Sequence, residues 1–312
     1  MTRILSSTAS RFACVFAALA VWALLQTSPV WAAGYEKAVG WSGRFAGMGG
    51  AAVSTVQGAE SLYFNPAGLA AGEGAEVSVN LSPTLTRVDG ALPALGAKAQ
   101  LWREGDEKWS PILGALVSYP VSSRLGLGLG FYVAGGVKSF YENVDYTPLL
   151  PTVTLRPTVK ADVAITEASL GAGYQLAPGL RLGAAWRMVN VAADFSSARV
   201  VVQGGQPVAV QNVYFSDLKD TRYNAFRVGL QYRPEHEKWG AGVSWRSGVS
   251  FDADGNTSGR LGSVAGTITD LPAGTASVHN AFPQQFSVGA FIRRSPELLF
   301  AAEWTWTQYS RN

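Results

Sequence analysis

Apolar and polar residues alternate with period two through most of the second half of this chain. From Trp239 to Arg246, the residues Trp239, Ala241, Val243 and Trp245 share one face, and Gly240, Gly242, Ser244 and Arg246 share the other. Leu182, Ala184, Trp186 and Met188 oppose Arg181, Gly183, Ala185 and Arg187 in the same way. Phe286, Val288, Ala290 and Ile292 oppose Ser287, Gly289 and Arg293, with Phe291 as an aromatic exception on the polar side. Near the end, Leu298, Phe300, Ala302, Trp304 and Trp306 oppose Glu303, Thr305 and Thr307. Period-two alternation is the mark of a strand with two different environments on its faces. Roughly ten strands are expected on this pattern, near 75–88, 111–121, 124–137, 159–176, 180–195, 209–216, 222–233, 238–251, 284–293 and 297–310. The connections at Ser122-Ser123, Ala177-Pro178-Gly179, Pro234 to Lys238 and Ser295-Pro296 read as tight turns, and the intervals 138–158, 196–208 and 252–283 as long loops.

The less apolar face decides the architecture. A soluble β-sandwich would put Lys and Glu there, because water lies beyond it. Here that face is Gly, Ser and Thr with occasional Arg, which suits a narrow lumen or a plug packed against a wall. The opposite face carries Trp186, Trp239, Trp245, Trp304 and Trp306, and aromatics on the lipid side of a membrane barrel gather at the bilayer interfaces. Core packing between two sheets is the competing role for them. Short turns alternating with long loops also match the periplasmic and extracellular ends of a barrel. The expected fold class is all-β, an antiparallel transmembrane β-barrel.

Composition and charge agree with that. The N-terminus has Arg3 and Arg11, an apolar stretch from Phe12 to Leu25, then Pro29 and Val30-Trp31-Ala32, the layout of a secretory signal peptide over residues 1–33. That stretch is about 14 residues, below the roughly 20 a helix needs to cross a bilayer, and no later segment is longer without Gly or charge. Without Arg3 and Arg11 the chain has 23 basic and 22 acidic side chains, so the high isoelectric point is no sign of a nucleic-acid partner. Charged residues are 15% of the chain, against roughly 25% in soluble domains. Cys14 is the only cysteine and lies in the apolar stretch, so removal of that segment leaves no thiol for disulfides, metal sites or catalysis.

Between the export segment and the first strand lies Gly47-Met-Gly-Gly-Ala-Ala, leading to Asn65-Pro66-Ala67-Gly68. Tiny residues let a segment pack inside a narrow space, and Pro66 fixes φ and removes a donor where a helix must stop. Any helix-to-strand junction can use such a tetrapeptide, so its position is what gives it meaning. With Phe131-Tyr-Val-Ala-Gly-Gly136, Trp245 to Gly255, Leu271-Pro272, Pro283-Gln-Gln-Phe286 and Glu303 to Ser310 in order, the chain resembles the FadL/TodX-type outer-membrane transporters of long-chain fatty acids and aromatic hydrocarbons. The resemblance implies an N-terminal hatch in the lumen over 34–72, with Gly47, Gly49, Gly50, Asn65, Pro66, Ala67 and Gly68 as its gate residues, and a barrel over 73–312. It also implies an inward kink in the third strand that opens a lateral exit into the membrane; Gly135 and Gly136, where backbone irregularity costs least, are the candidates for it, and an ordinary strand end at a Gly-Gly turn is the alternative. Family members have fourteen strands, so the resemblance implies a C-terminally truncated member; a smaller closed barrel of about ten strands is the alternative.

His236 and His279 are the only histidines and have no spacing for a metal site or a triad, so no enzyme and no cofactor are expected. Gly126, Gly128 and Gly130 alternate along a strand and open no helix, which is unlike a phosphate loop. Arg181, Arg187 and Arg246 on the inner face have two readings, as a seat for a ligand carboxylate, for which Arg187 and Arg246 are the candidates, or as partners of lumen Asp or Glu. The expected activity is passive outer-membrane transport of a hydrophobic molecule with lateral exit. The expected partners are that substrate, outer-membrane lipid and lipopolysaccharide, and the barrel assembly machinery, with no nucleic acid. A general porin and a secretion-associated interaction protein are the rival readings.

Overall fold

The computed structural model describes residues 41–95, 99–234, 236 and 238–309, so the expected export segment 1–33 and residues 34–40 of the expected hatch lie outside the described residues. Three short helical turns come first: α1 (Gly43–Gly47), α2 (Ser61–Phe64) and the 3-10 helix η1 (Pro66–Ala71). Strands follow as β1 (Glu76–Ser82), β2 (Leu85–Thr86), β3 (Gly90–Leu95), β4 (Ala99–Arg103), β5 (Lys108–Trp109), β6 (Ile112–Pro120), β7 (Leu125–Tyr141) and β8 (Val159–Ala177). The rest are β9 (Leu180–Gln203), β10 (Gln206–Tyr232), β11 (Trp239–Arg246), β12 (Val249–Ser263), β13 (Ile268–Phe282), β14 (Gln285–Arg293) and β15 (Leu299–Thr307). Among the described residues no helix is long and apolar enough to cross a membrane.

One antiparallel sheet forms the wall, in the order β1-β6-β7-β8-β9-β10-β11-β14-β15, and sequence neighbours pair throughout except where β2–β5 and β12–β13 are looped out. Among the described residues β1 pairs only with β6 and β15 only with β14, so the wall is an open sheet. Its outer face is apolar and bare: Val79, Leu129, Phe131, Leu170, Val228, Ile292 and Phe300 are all exposed, Leu129 at 61% and Phe300 at 62%. Water would penalise such a surface by roughly 25 cal/mol per Å², whereas lipid does not. Strands β6 to β11 and β14 pair on both sides, which satisfies their backbone groups as a bilayer requires, while β1 and β15 pair on one side among the described residues.

The five outward tryptophans expected from the alternation are all on the exposed face. Trp245 is in register with Phe286, and Phe286 with Trp306, while Trp186 is in register with Phe226. Trp239 lies six residues from Trp245 on the same strand, beside Tyr232 at 5.4 Å between ring centroids. At about 3.3 Å per residue, the two aromatic rows stand roughly 20 Å apart along the strand, comparable to the apolar band of about 25 Å in membrane barrels.

Three expectations about strand limits are corrected. The segments 209–216 and 222–233 are one strand, β10, of 27 residues; the charged run Ser216 to Arg222 hides its continuity, because bulges near Asp217 and Tyr223 shift the alternation without ending the pairing with β9. The interval 196–208 is a continuation of β9 and β10 around Gly204-Gly205, whose φ values of 59° and 80° fit a tight hairpin turn. The interval 252–283 is the β12–β13 hairpin, with β12 also pairing with β10. The outward faces of these stretches are polar, with Asp252, Asp254 and Asn256 exposed on β12, which masks their strand character from a test for lipid-facing alternation, while Val210, Phe251 and Ala253 on the inner face are buried. Roughly ten residues cross a bilayer as a strand, so the excess length of β9 and β10 projects beyond it.

Candidate functional site

Residues 41–72 fill the lumen. Trp41 stacks on Tyr63 at 4.7 Å, Tyr132 of β7 meets both rings edge-on at 5.7 and 5.2 Å, and Phe45 packs on Phe64 at 4.7 Å. This aromatic core was not apparent from the run of tiny residues. Its sequence signal is the apolar alignment of Trp41, Phe45, Tyr63 and Phe64 around that run. Gly49 and Gly50 adopt φ of 65° and 87°, a left-handed exit from α1 that side chains disfavour. Gly47 has open space around it and an ordinary φ, so nothing in the backbone requires glycine there. Gly68 does need its missing side chain, because a Cβ there would overlap the carbonyl of Val56.

Asn65 is fully buried and is the centre of the Asn-Pro-Ala-Gly stop. Its Oδ1 accepts from the Ala67 amide at 3.2 Å, capping η1, and Pro66 occupies the first position, where no donor is needed. Its Nδ2 donates to the carbonyl of Val53 at 2.8 Å and, at 3.2 Å each, to Leu230 of β10 and Val243 of β11. One side chain thus ties the hatch to itself and to two wall strands. Asn65→Ala would remove this donor from the Leu230 and Val243 carbonyls in a tightly packed interior, while Val53 keeps Gln231 at 3.0 Å, at a cost of about 1–3 kcal/mol. The expected outcome is a folded barrel whose heat-induced gel shift occurs at a lower temperature; an unchanged shift temperature would contradict this role.

The wall meets the hatch through glycine. Gly126, Gly173, Gly183 and Gly229 form one unbroken row across β7, β8, β9 and β10. A Cβ on Gly173 would come within 2.6 Å of the Ala70 amide nitrogen and 2.8 Å of the Pro66 carbonyl oxygen. A Cβ on Gly126, Gly183 or Gly229 would overlap Leu69, Pro66 or Asn65 respectively. Next to this row run Gly128 and Gly171, against which Leu62 packs. The inner face lacks side chains there because hatch backbone lies directly upon it.

Further up the lumen the small residues give way to a buried charge cluster. Arg187 of β9 grips Glu167 of β8 with two bonds of 2.8 and 2.9 Å, and Arg246 of β11 adds a third at 2.7 Å. Tyr132 donates to the same carboxylate at 3.0 Å. Arg187 and Arg246, the two candidates for a ligand carboxylate, therefore both converge on Glu167, deep in the wall. Arg227 lies in register between them and the hatch, donating to the Leu62 carbonyl with its guanidinium 5.6 Å from the Tyr63 ring centre. A cavity of only about 20 Å³ remains beside Arg227 and Arg246, roughly the room of one water.

Beyond the charge cluster β7 is irregular. Its pairing with β8 slips one residue between Val133 and Gly135, and Gly136 has φ of 154°, where a Cβ would come within 2.5 Å of the Val163 carbonyl oxygen. The slip changes which residues face inward: Tyr132 and Ala134 do so before it, and Val137 does so after it. Both glycines singled out from the sequence sit in this bulge. Immediately above it is an apolar cavity of about 150 Å³, lined among others by Val137, Val163, Val191, Phe195, Leu218 and Phe251. Among the described residues no set of three His, Cys, Asp or Glu is grouped as a metal site would require, and His279 is exposed and paired with Asp252 at 2.6 Å.

A family model described as outer membrane protein transport protein (OMPP1/FadL/TodX) matches residues 23–312. The Pseudomonas putida toluene transporter TodX superposes with a TM-score of 0.69 at 18% identity, over 86% of this chain and 70% of that one. A Pseudomonas aeruginosa FadL homologue gives 0.64 at 15% identity, over 89% and 69% of the two chains. The CymD monoaromatic hydrocarbon channel gives 0.62 at 14% identity, over 85% and 68%. These likenesses establish a shared barrel fold. No curated protein matches.

Proposed function

This chain belongs to the OMPP1/FadL/TodX family of outer-membrane transport proteins, and from that premise we propose that it passes small, uncharged, ring-sized hydrocarbons through the membrane without an energy source. The observation that carries the reading is the apolar cavity of about 150 Å³ above the hatch. An apolar space of that size suits one benzene-sized ring, whereas an extended ligand needs several hundred Å³. A fatty acid would also bring a carboxylate, and Arg187 and Arg246 are both committed to Glu167. Two solved relatives are named for toluene and for monoaromatic hydrocarbons, in line with this choice.

In this reading the ligand enters from the extracellular end, rests in the cavity, and leaves sideways at the β7 bulge around Gly135 and Gly136. Residues 34–72 act as the hatch, with Gly49, Gly50 and Asn65 to Gly68 holding its shape. Arg187 and Arg246 brace the wall through Glu167 in place of binding substrate. Lipopolysaccharide at the outer leaflet and the assembly machinery are the partners such a barrel would meet. A general porin is disfavoured, since a lumen filled by hatch side chains leaves no aqueous path.

Ala193 borders the cavity and is buried, so Ala193→Phe should fill it with little effect on the outer face. Toluene uptake into cells is expected to fall about tenfold, equivalent to about 1.4 kcal/mol of lost ligand stabilisation, with the same amount of folded protein in the outer membrane. Undiminished uptake at equal folded protein would sink this assignment of the cavity.

A further inference from the structure

The hatch is held unevenly. On one side Glu303 of β15 reaches into the lumen, and its Oε2 accepts two consecutive hatch amides, Ala52 and Val53, at 2.8 Å each. The same Val53 peptide accepts from Gln231 of β10 at 3.0 Å and from Asn65 at 2.8 Å, and Gln231 also donates to Val56 at 3.0 Å. Glu303 is itself steered by Thr305, which donates to its Oε1 at 3.4 Å and is bonded to Ser287 at 2.7 Å. On the other side β7, β8 and β9 meet the hatch through Gly126, Gly128, Gly171, Gly173 and Gly183, against Leu62, Pro66 and Leu69. Side-chain hydrogen bonds tie the hatch to β10, β11 and β15, with one longer bond of 3.4 Å from Ser78 of β1 to Glu60.

Directional bonds and smooth contact respond differently to displacement. A carboxylate holding the amides of two buried residues resists any shift, because each amide would be left without a partner. On the glycine rows the hatch presents the backbone of Pro66, Ala67, Leu69 and Ala70 and the side chain of Leu62 in van der Waals contact, which can be exchanged for another such contact. A hatch with one face of each kind moves at the smooth face and stays at the bonded one.

We propose that Glu303 positions the hatch by anchoring its Ala52–Val53 end to β15, so that the hatch opens by tipping off the glycine rows of β7 to β9 while this end stays in place. The inference rests on the reading above that the hatch moves during transport, and it makes Glu303 a positioning residue outside the ligand path. It also gives the motion a direction, since the face that lifts is the one beside the β7 bulge.

Two cysteine pairs test it in a Cys14-free background. Val53→Cys with Gly289→Cys links the anchored face, where a Cβ on Gly289 lies 2.8 Å from Val53 Cγ1. Leu62→Cys with Gly128→Cys links the smooth face, where a Cβ on Gly128 lies 3.0 Å from Leu62 Cγ; Gly171→Cys with Leu62→Cys replaces it should that variant not fold. Toluene uptake is measured oxidised and reduced. The expected result is that the anchored-face link leaves uptake within about twofold, while the smooth-face link lowers it at least about tenfold until reduced. Any other pattern in protein that transports when reduced overturns the proposal. A barrel that carries no toluene in any state would count against the function and not the anchor, which labelling then decides. Val53→Cys should react with a water-soluble maleimide at least about tenfold faster when Glu303→Ala is added, and Glu303→Gln, which keeps an acceptor oxygen, should restore much of the protection. An unchanged labelling rate overturns the anchor.

Discussion

Gly183→Val should lower the folded, heat-shifting form of the protein in the outer membrane at least about tenfold. The position is the middle of the glycine row across β7 to β10, and a Cβ there would overlap the carbonyl of Pro66 and the amide of Ala67. Those are backbone atoms of η1, held by the Asn65 cap and by the bonds from Asn65 to Leu230 and Val243. Overpacking a tight interior costs about 1–3 kcal/mol where side chains can yield, and backbone cannot yield that way. Either wall or hatch must therefore give up its place. Gly274→Val is the control, since a Cβ on Gly274 has only Thr257 Cγ2 nearby, at 3.7 Å. It should assemble like the parent protein. Equal folded amounts of the two variants, with no leak of small polar solutes through Gly183→Val, would contradict the tight seating of the hatch.

Glu167→Ala should be the most damaging change among the charged residues of the lumen. Arg187 and Glu167 have almost no exposed side-chain surface, and Arg246 has 8%. Removing the carboxylate leaves two guanidinium groups buried together without their counter-charge, and breaking a buried pair in this way costs about 3–5 kcal/mol. The phenol of Tyr132 loses its acceptor as well, keeping only Ser169 at 2.9 Å. The barrel is expected to lose its heat-shifting form at a much lower temperature than the parent. Asp217→Asn provides the contrast, because Asp217 and Lys219 are 68% and 65% exposed and such pairs contribute about 0–1 kcal/mol. A Glu167→Ala barrel with the parent's shift temperature would mean that the cluster is not a structural brace.

The faces of the wall were legible because a strand in a barrel has two unlike environments. Leu182, Trp186, Trp239 and Trp245 had to be outward once each had Gly, Ser or Arg beside it, and even Phe291 could be marked as an inward exception. It packs under Arg233, 5.0 Å from the guanidinium. Strand ends were less legible. Beyond the bilayer the β12–β13 hairpin and the far halves of β9 and β10 turn polar residues outward, so the lipid-facing pattern lapses while hydrogen bonding continues and Val210, Phe251 and Ala253 stay buried on the inner side. Glu303 could be assigned to the inner face from its phase between Trp304 and Ala302, but not to the amides of Ala52 and Val53, which lie some 250 residues away in the chain.

The amino-acid sequence by itself determined the class of fold and the inward and outward faces, because period and side-chain size are local properties. Only the tertiary structure decided that the inner glycines are aligned across four strands, that three arginines crowd one buried region with Glu167 between two of them, and that the bulge at Gly135 and Gly136 adjoins an apolar cavity. Those facts depend on register between strands far apart in the chain. A slip of one residue would turn every inward glycine out to lipid, and the register is set by pairing and by the hatch seated against it, which no single strand encodes.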